Sequence, residues 1–339
     1  MCLQNNKTNK KSQEKKIKNT LRDTTKSGKE ISWKDKKMKN DSVAGSFRDA
    51  GLKKKASRLK TCANVLQFKQ VEGGLKLAHT WFCKVRLCPI CNWRRSMKIA
   101  HQNREVVLEA NKREKLRWIF LTLTTGKTVE GKDLKERIEH SMESFKRLFK
   151  YKRVKDVVRG YFRGLEVTKS KGKYHPHFHI LIAVKPSYFN DKYIKQNDWA
   201  EMWQKALKLD FKPTVDIRVV KPNEKHRKLT EENVKEFEGA LQEVSKYPVK
   251  DTEFLKGDRQ ENALTVYVMD KSLSYKRLIG YGGLLKEIRK ELQLEDVEGD
   301  GADLIKIDER DDENEIANEI EFVTAYWHYG IKDYVFQED

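Results

Sequence analysis

The segment "YHPHFHILIAV", residues 174–184, constrains the fold more than any other because its two sides differ in character. Successive side chains of a β-strand point to opposite faces, so His175, His177 and His179 project the same way. Ile180, Ile182 and Val184 then fall on the opposite face. Imidazoles on an otherwise apolar strand are costly to bury without partners. The pattern therefore predicts a metal ion, a substrate or a hydrogen-bond network on the histidine face.

Strand and helix patterns alternate around this segment. The strand pattern "VVRGYFRGLEVTKS" (157–170) precedes it, and the turn "KSKGK" predicts a β-hairpin. We predict an α+β fold of ferredoxin-like type, with an antiparallel sheet and helices on one face. Residues 275–292 read as helical, and the aromatic segment 322–336 is expected to dock back on the body. The remaining predicted elements are strands at 116–126 and 213–220 and helices at 133–150, 197–209 and 230–247.

His177 and His179 form a pair that can bind one divalent ion, provided that a third ligand lies nearby. Glu166, on the preceding strand of the predicted hairpin, is placed for that role. Mixed imidazole and carboxylate ligation suits Mn²⁺, Mg²⁺ or Zn²⁺, and imidazole favours Mn²⁺ over Mg²⁺. Such an ion would polarise a phosphoryl oxygen. The alternative is a polar strand face that is open to solvent.

The segment "LQEVSKYPVKD" (241–251) places Glu243 and Tyr247 one helical turn apart. A tyrosine can attack phosphate once a metal and basic groups offset its pKa of about 10, and a nearby carboxylate can activate water. The alternative is that Tyr247 belongs to an apolar helical stripe in the core. Pro248 disfavours helical geometry at the residue before it, which favours a helix end and a more exposed ring.

The five cysteines include a group with metal-ligand spacing, Cys83-x4-Cys88-x2-Cys91. Cys62 can supply a fourth thiolate to a tetrahedral Zn²⁺ site, and His79 is the competing fourth ligand. Such an ion would be structural and would staple a small basic module. Buried free thiols are the alternative.

Charge favours a polyanionic partner such as nucleic acid. The net charge is +20; residues 1–60 hold 19 Lys and Arg against 6 Asp and Glu, whereas residues 287–339 hold 5 against 18. The middle of the chain, residues 61–286, is itself basic, with 47 Lys and Arg against 27 Asp and Glu. Next to the cysteines, "NWRRSMKIAHQNR" (92–104) predicts Arg94, Arg95 and Lys98 as contacts to DNA phosphates.

The chain has no pattern typical of a membrane or secreted protein. No apolar run approaches the roughly 18–20 residues needed to cross a bilayer. The start, "MCLQNNKTNKKSQEKKIKNT", lacks the apolar core of a secretory signal. We therefore expect a cytoplasmic protein, whose cysteines are thiols or metal ligands rather than disulfides.

Three motifs, in this order, resemble those of the plasmid rolling-circle replication initiators of Gram-positive bacteria, in the HUH endonuclease superfamily. They are "FLTLTT" (120–125), "HPHFHILI" (175–182) and "EVSKYPVKD" (243–251), and the match spans roughly residues 56–290. The resemblance implies an HUH nuclease core, His177 and His179 as the metal pair, and Tyr247 as the nucleophile. His175 does not match the named pair and is expected to support the ligands or to contact DNA.

The resemblance also implies a reaction. Tyr247 attacks a phosphodiester at the double-strand origin, which is single-stranded at the nick and duplex where it is recognised. The products are a 5′-phosphotyrosine and a free 3′-OH, and a later transfer rejoins the strand. Glu243 directs water at termination, and Lys246 and Lys250 offset phosphate charge. Host helicase and polymerase are the expected partners.

The resemblance and the composition together predict four domains and leave two alternatives open. Residues 1–55 form a disordered basic arm, 56–110 a zinc-binding, DNA-contacting module, 111–259 the HUH endonuclease domain, and 260–339 an extension with an acidic stretch. The first alternative is a relaxase or single-strand transposase with the same chemistry. The second is a non-catalytic, zinc-containing nucleic-acid-binding protein.

Overall fold

The computed structural model describes residues 20–24, 30–71, 74–220, 238–245, 256–299, 301–307 and 322–336. Two compact units divide the chain: residues 95–302 form one, and residues 1–94 together with 303–339 form the other. The helices are α1 Trp33–Asp49, α2 Lys53–Thr61, α3 Pro89–Arg113, α4 Leu134–Leu148, α5 Lys152–Lys155, α6 Gln196–Leu207, α7 Glu238–Ser245, α8 Arg259–Leu273 and α9 Leu284–Glu291. The strands are β1 Val65–Val71, β2 Gly74–Thr80, β3 Arg117–Thr124, β4 Val158–Ser170, β5 Lys173–Val184, β6 Val215–Val220, β7 Ile279–Gly283, β8 Phe322–His328 and β9 Asp333–Phe336.

The unit formed by residues 95–302 contains a five-stranded sheet in the order β6-β3-β5-β4-β7. Every neighbouring pair is antiparallel. Strands β4 and β5 form the predicted hairpin, in which Lys171 and Gly172 both have positive φ angles, 48° and 76°. Such angles suit a two-residue turn that follows the twist of the strands. The predicted α+β fold with an antiparallel sheet is confirmed.

One face of this sheet is the apolar core. Ile180 and Ile182 of β5 are fully buried there. Phe178, on the same face, contacts Phe145 of α4 and Trp203 of α6, with ring centroids 5.4 and 6.4 Å apart. Helices α4 and α6 therefore cover the face away from the histidines. Helix α7 packs against β4 and β5 on the histidine face.

Strand β7 lies within residues 275–292, which the sequence analysis read as helical throughout, and that reading is wrong for 279–283. Glycines explain the difference. Gly282 pairs with Tyr161 of β4, and a β-carbon on Gly282 would collide with the Tyr161 ring. Gly283 has φ +55°, which ends the strand and begins α9.

The other unit contains a four-stranded sheet in the order β2-β1-β8-β9. The aromatic segment at 322–336 forms β8 and β9, and β8 pairs antiparallel with β1. The buried Tyr334 hydroxyl donates a 2.7 Å hydrogen bond to the carbonyl oxygen of Ala63. These contacts join residues more than 250 positions apart.

Helix α1 lies inside residues 1–55, so the prediction of a disordered arm does not hold for 33–49. Trp33, Val43 and Phe47 are buried at helical spacing. Two polar residues interrupt that stripe. Lys37 donates a 2.7 Å hydrogen bond to the carbonyl oxygen of Lys60, and Asn40 donates a 2.5 Å hydrogen bond to that of Leu59.

The four predicted domains otherwise stay a prediction. Within the part of the chain that the structure describes, no helix combines the length and the apolar character needed to span a bilayer.

Candidate metal centres

Strands β4 and β5 bring together Glu166, His177 and His179. Glu166 lies opposite His177 in the register. The Glu166 Oε2 atom is 3.0 Å from Nε2 of His179 and 3.4 Å from Nε2 of His177. The candidate ligand atoms of all three residues lie within 4.8 Å of one another. The side chains are 7, 12 and 16% exposed, so the group is largely buried but open on one side.

The outer nitrogens of both imidazoles have oxygen partners. Nδ1 of His177 lies 3.2 Å from the carbonyl oxygen of His175, which can only accept. Nδ1 of His177 therefore donates to this oxygen, which leaves the Nε2 lone pair to bind a cation held between the ring and Glu166. Nδ1 of His179 lies 3.3 Å from the hydroxyl of Thr122, which can accept in the same way. Two nitrogen lone pairs and a carboxylate then converge, and this donor set fits a divalent cation.

His175 shares the face but is not one of the converging ligands. Its ring centroid lies 5.8 Å from that of His177. Burial, and next the neighbouring His177, lower the pKa of His175. The structure therefore places it beside the Glu166, His177 and His179 group.

Helix α7 reaches the histidine face at Gly164, which lies opposite His179 in the register. A β-carbon on Gly164 would be 3.0 Å from the carbonyl oxygen of Val244. Glu243 is half-buried on this helix. Tyr247, with Lys246 and Lys250, lies outside the described residues.

A hydrogen-bond chain that the sequence analysis missed holds the end of α7. Asn103 of α3 donates 2.9 Å to the hydroxyl of Ser245, and both side chains are buried. The side-chain oxygen of Asn103 accepts a 2.7 Å hydrogen bond from the hydroxyl of Tyr281. That hydroxyl in turn accepts a 3.0 Å hydrogen bond from Arg289. Burial raises the pKa of Tyr281 to about 12, so it remains a donor. Asn103 lies in the segment 92–104, where the basic residues drew attention and nothing set this asparagine apart.

The cysteines form a second group. Cys62, Cys83, Cys88 and Cys91 are fully buried. The Cys62–Cys91, Cys62–Cys88 and Cys83–Cys91 sulfur distances are 3.7, 3.7 and 3.8 Å. Zn–S bonds of about 2.3 Å at tetrahedral angles separate sulfurs by about 3.8 Å, so the group fits zinc. The four thiols are the group that the structure assembles. His79 is not part of it, because its ring lies beside Phe322, with centroids 6.3 Å apart.

Backbone amides point at two of the sulfurs. The Cys83 amide donates 3.3 Å to the Cys62 sulfur, and the Cys91 amide donates 3.4 Å to that of Cys88. Burial raises the pKa of the Cys62 and Cys88 thiols well above its usual value. A cation at the centre would offset that cost by binding the thiolates.

The structure corrects the DNA contacts predicted from "NWRRSMKIAHQNR". Arg94, Arg95 and Lys98 are 6, 3 and 2% exposed. Arg94 donates 2.8 and 2.5 Å to the carbonyl oxygens of Leu304 and Ile305, and burial lowers its pKa to about 10. Lys98 forms an ion pair with Glu295. All three side chains are buried within the fold, so they do not face a DNA backbone.

The sequence matches a known family over most of its length. A family model described as "Replication protein" matches residues 74–335. The chain belongs to this family of plasmid replication initiators. Initiators of this family are generally nicking endonucleases, and a replication initiator binds plasmid origin DNA.

Curated relatives match almost end to end. "Protein rep" of Bacillus amyloliquefaciens is 48% identical over 332 residues, which cover 93% of this initiator and 96% of the relative. "Protein rep" of Lentilactobacillus hilgardii is 40% identical over 94 and 98% of the two chains. "Protein rep" of Streptococcus pneumoniae serotype 2 is 40% identical over 93 and 94%. No solved structure gives a significant match.

Proposed function

We propose that this initiator starts rolling-circle replication by nicking one strand of its plasmid's double-strand origin, with Tyr247 as the nucleophile. The observation that carries the proposal is the convergence of Glu166 with the Nε2 atoms of His177 and His179. This group lies on the sheet face against which α7 packs.

The position of α7 supports Tyr247 as the attacking group. Ser245, the last residue of α7, is held by Asn103, and Tyr247 follows two residues later. Two residues span at most about 7 Å. The neighbouring Val244 already lies over Gly164, opposite His179. In the sequence, Tyr247 therefore comes directly after the segment that packs on the histidine face.

The reaction is a transesterification. The Tyr247 oxygen bonds to the phosphorus, and the bond from phosphorus to O3′ breaks. The phenol proton of Tyr247 passes to solvent, and the electron pair leaves with O3′, which takes a proton from solvent and becomes the primer end, while the 5′-phosphate stays on the tyrosine. A divalent ion held by Glu166, His177 and His179, either Mn²⁺ or Mg²⁺, would polarise the phosphate and offset charge in the transition state.

The other site residues act on the same phosphate. Glu243 takes the proton from the water that cleaves the regenerated origin site, and the 3′-OH freed there displaces Tyr247 from its phosphate, which rejoins the strand and ends the cycle. Lys246 and Lys250 offset phosphate charge, and His175 contacts the DNA beside the ligands. The cysteine site would bind a structural Zn²⁺ through Cys62, Cys83, Cys88 and Cys91.

The proposal also names partners. The origin is single-stranded at the nick and duplex where it is recognised. A host helicase and a host polymerase would then use the opened strand and its 3′-OH, in the bacterial cytoplasm.

A nicking assay on a supercoiled origin plasmid with Mn²⁺ tests the proposal. The wild type should convert closed circles to nicked circles, and Tyr247→Phe should not. Tyr267→Phe is the matched control, because Tyr267 is an exposed tyrosine on α8. Mass spectrometry of the trapped complex should find the nucleotide on Tyr247. A nucleotide on another tyrosine, or DNA that the wild type leaves closed, would reject the assignment.

The variant Glu243→Ala separates the nicking step, assigned to Tyr247, from the activation of water, assigned to Glu243. This variant should nick at close to the wild-type rate but accumulate the covalent adduct, because water is no longer activated. Normal release of the adduct would reject the role of Glu243. A relaxase or transposase would cut its own DNA target but not the plasmid's origin, and a binding module would cut neither.

A further inference from the structure

A concave surface lies beside Lys185, where β5 ends, at the opposite end of the strand from the histidines. Its volume is about 680 Å³. Six charged side chains line it, five positive and one negative, and all are exposed. They are Lys150, Lys152, Lys155, Asp156, Lys185 and Lys192, and we call the surface the lysine basin.

The lysine basin keeps an excess of positive charge, because Asp156 is the one acidic residue in its lining and, among the residues described, its lysines form no close ion pairs. Over the described residues, none of its five lysines has a carboxylate oxygen within 4.0 Å of its Nζ atom. Neighbouring basic residues do: Arg153 of the same helix α5 lies 2.7 Å from Asp198, and Lys146 lies 2.7 Å from Glu143. Five unpaired cations around one concavity repel one another, and an anionic ligand would relieve that repulsion.

The backbone that carries these lysines is well fixed. The Lys185 amide donates 3.1 Å to the carbonyl oxygen of Val157, which joins the end of β5 to the start of β4. Val154, between two of the lysines on α5, is fully buried. The stems are therefore held in place while the ammonium groups can move to meet a ligand.

We propose that the lysine basin binds backbone phosphates of duplex DNA that flanks the nick site. Lysine is a point charge that contacts phosphate without reading bases. Proteins that bind single strands add aromatic side chains on which bases stack, and the basin lining contains none. A duplex carries a phosphate charge every ~1.7 Å of its axis, which suits a dense lysine group.

The distance from the histidine face explains why a second contact is needed. Lys185 follows His179 by six residues of extended strand, which is about 20 Å at ~3.3 Å per residue. At ~3.4 Å per base step, the two places are about six base pairs apart. The nucleotide at the histidines cannot also occupy the basin. The basin would hold the neighbouring duplex and set how far the strand must open.

The inference rests on the proposed function only in that DNA is the ligand, and so binding is measured apart from cleavage. A labelled duplex from the origin flank is titrated with the full chain, without Mn²⁺, at several salt concentrations. The test variant carries Lys→Gln at positions 150, 152, 155, 185 and 192. The matched control carries the same change at five exposed lysines elsewhere in the unit, Lys132, Lys135, Lys205, Lys208 and Lys286. A Lys→Arg version of the basin keeps the charge.

The basin variant should bind more weakly, and its plot of log affinity against log salt should be shallower by about 0.9 for each phosphate that it no longer neutralises. The control and the Lys→Arg version should keep the wild-type slope. Equal slopes in the test and control variants would overturn the proposal, and so would an equal or larger loss of affinity for a single-stranded oligonucleotide.

Cleavage gives a separate readout. The basin variant should still nick a short single-stranded oligonucleotide that contains only the cleavage site. If it loses that activity and keeps duplex binding, the basin serves the histidine site and the proposal fails. If the wild type itself never nicks, the proposed function fails, while the binding result for the basin still stands.

Discussion

The carbonyl oxygen of Val244 lies 3.0 Å from the place that a β-carbon on Gly164 would occupy. Helix α7 thus approaches β4 at a residue that has no side chain, directly opposite His179. The absence of a side chain at Gly164 therefore sets how near α7 comes to the histidine face.

Gly164→Ala tests this approach. The added methyl group must push α7 away by a few tenths of an ångström, and overpacking of this kind costs about 1–3 kcal/mol. We expect a lower melting temperature and a larger loss in nicking rate than in DNA affinity. Gly239→Ala is the control on the same helix, because nothing lies within 4 Å of its added β-carbon. It should be neutral or stabilise α7 by up to ~1 kcal/mol. Equal effects of the two changes would contradict the role of Gly164.

Asn103 and Ser245 should behave as one unit. Removing either side chain leaves a buried polar partner unsatisfied, at a cost of about 1–3 kcal/mol. A double-mutant cycle with Asn103→Ala and Ser245→Ala should give non-additive effects on kcat with KM for DNA nearly unchanged. Additive effects, or a change in melting temperature alone, would mean that the contact stabilises the fold and does not position α7.

Tyr281 should make stability depend on alkaline pH. Its pKa is raised to about 12, against about 10 in an unfolded chain, so the folded state holds the proton more tightly. The raised pKa stabilises the folded state by roughly 1–3 kcal/mol below pH 10. This contribution disappears as the pH rises from about 10 to about 12. Denaturant titrations at several pH values should show a steeper decline for the wild type than for Tyr281→Phe. Parallel declines would contradict the raised pKa.

The histidine group should bind Mn²⁺ with one site per chain. Glu166→Gln keeps the size of the side chain but removes the charge, and it should weaken Mn²⁺ binding by ten-fold or more in a titration followed by electron paramagnetic resonance. Thr122→Val should weaken it less, because Thr122 contacts only the outer nitrogen of His179. Unchanged binding by Glu166→Gln would show that the carboxylate is not a ligand.

The cysteine group should hold one zinc ion. Cys83→Ser or Cys91→Ser should lower the zinc content below one equivalent and make the unit that contains the cysteines sensitive to protease. Cys2→Ser should change neither. Zinc affinity should also fall as the pH is lowered, because the ion must displace protons from thiols whose pKa burial raises. Full zinc content in the Cys83 variant would reject the four-thiol site.

The elements that the sequence predicts well are those with a local period. Strand β5 alternates between half-buried histidines and buried apolar residues, and α4 has an apolar stripe that includes Ile138 and Phe145. Both patterns lie within one element, so neither depends on distant residues. Glu166 could be paired with His177 because a tight hairpin fixes the register.

The features that the sequence did not reveal depend on distant partners. Lys37 and Asn40 look exposed in isolation, but they bond to carbonyl oxygens of α2 and so complete the buried side of α1. Lys98 looks like a DNA contact, but Glu295 lies beside it in the fold. The sequence shows that a residue is charged, but it does not show whether another residue of the fold already forms an ion pair with it.

The pairing of β8 with β1 has a consequence for how the protein is made. The ribosome synthesises β1 and β2 some 250 residues before β8. The edge of β1 that pairs with β8 therefore keeps unpaired amides and carbonyls through most of translation. The histidine-bearing sheet, by contrast, is encoded wholly in between, and none of its five strands belongs to the sheet that β8 and β9 complete. A chain that ends before β8 would therefore leave this edge of β1 without its partner strand and open to pairing with another chain.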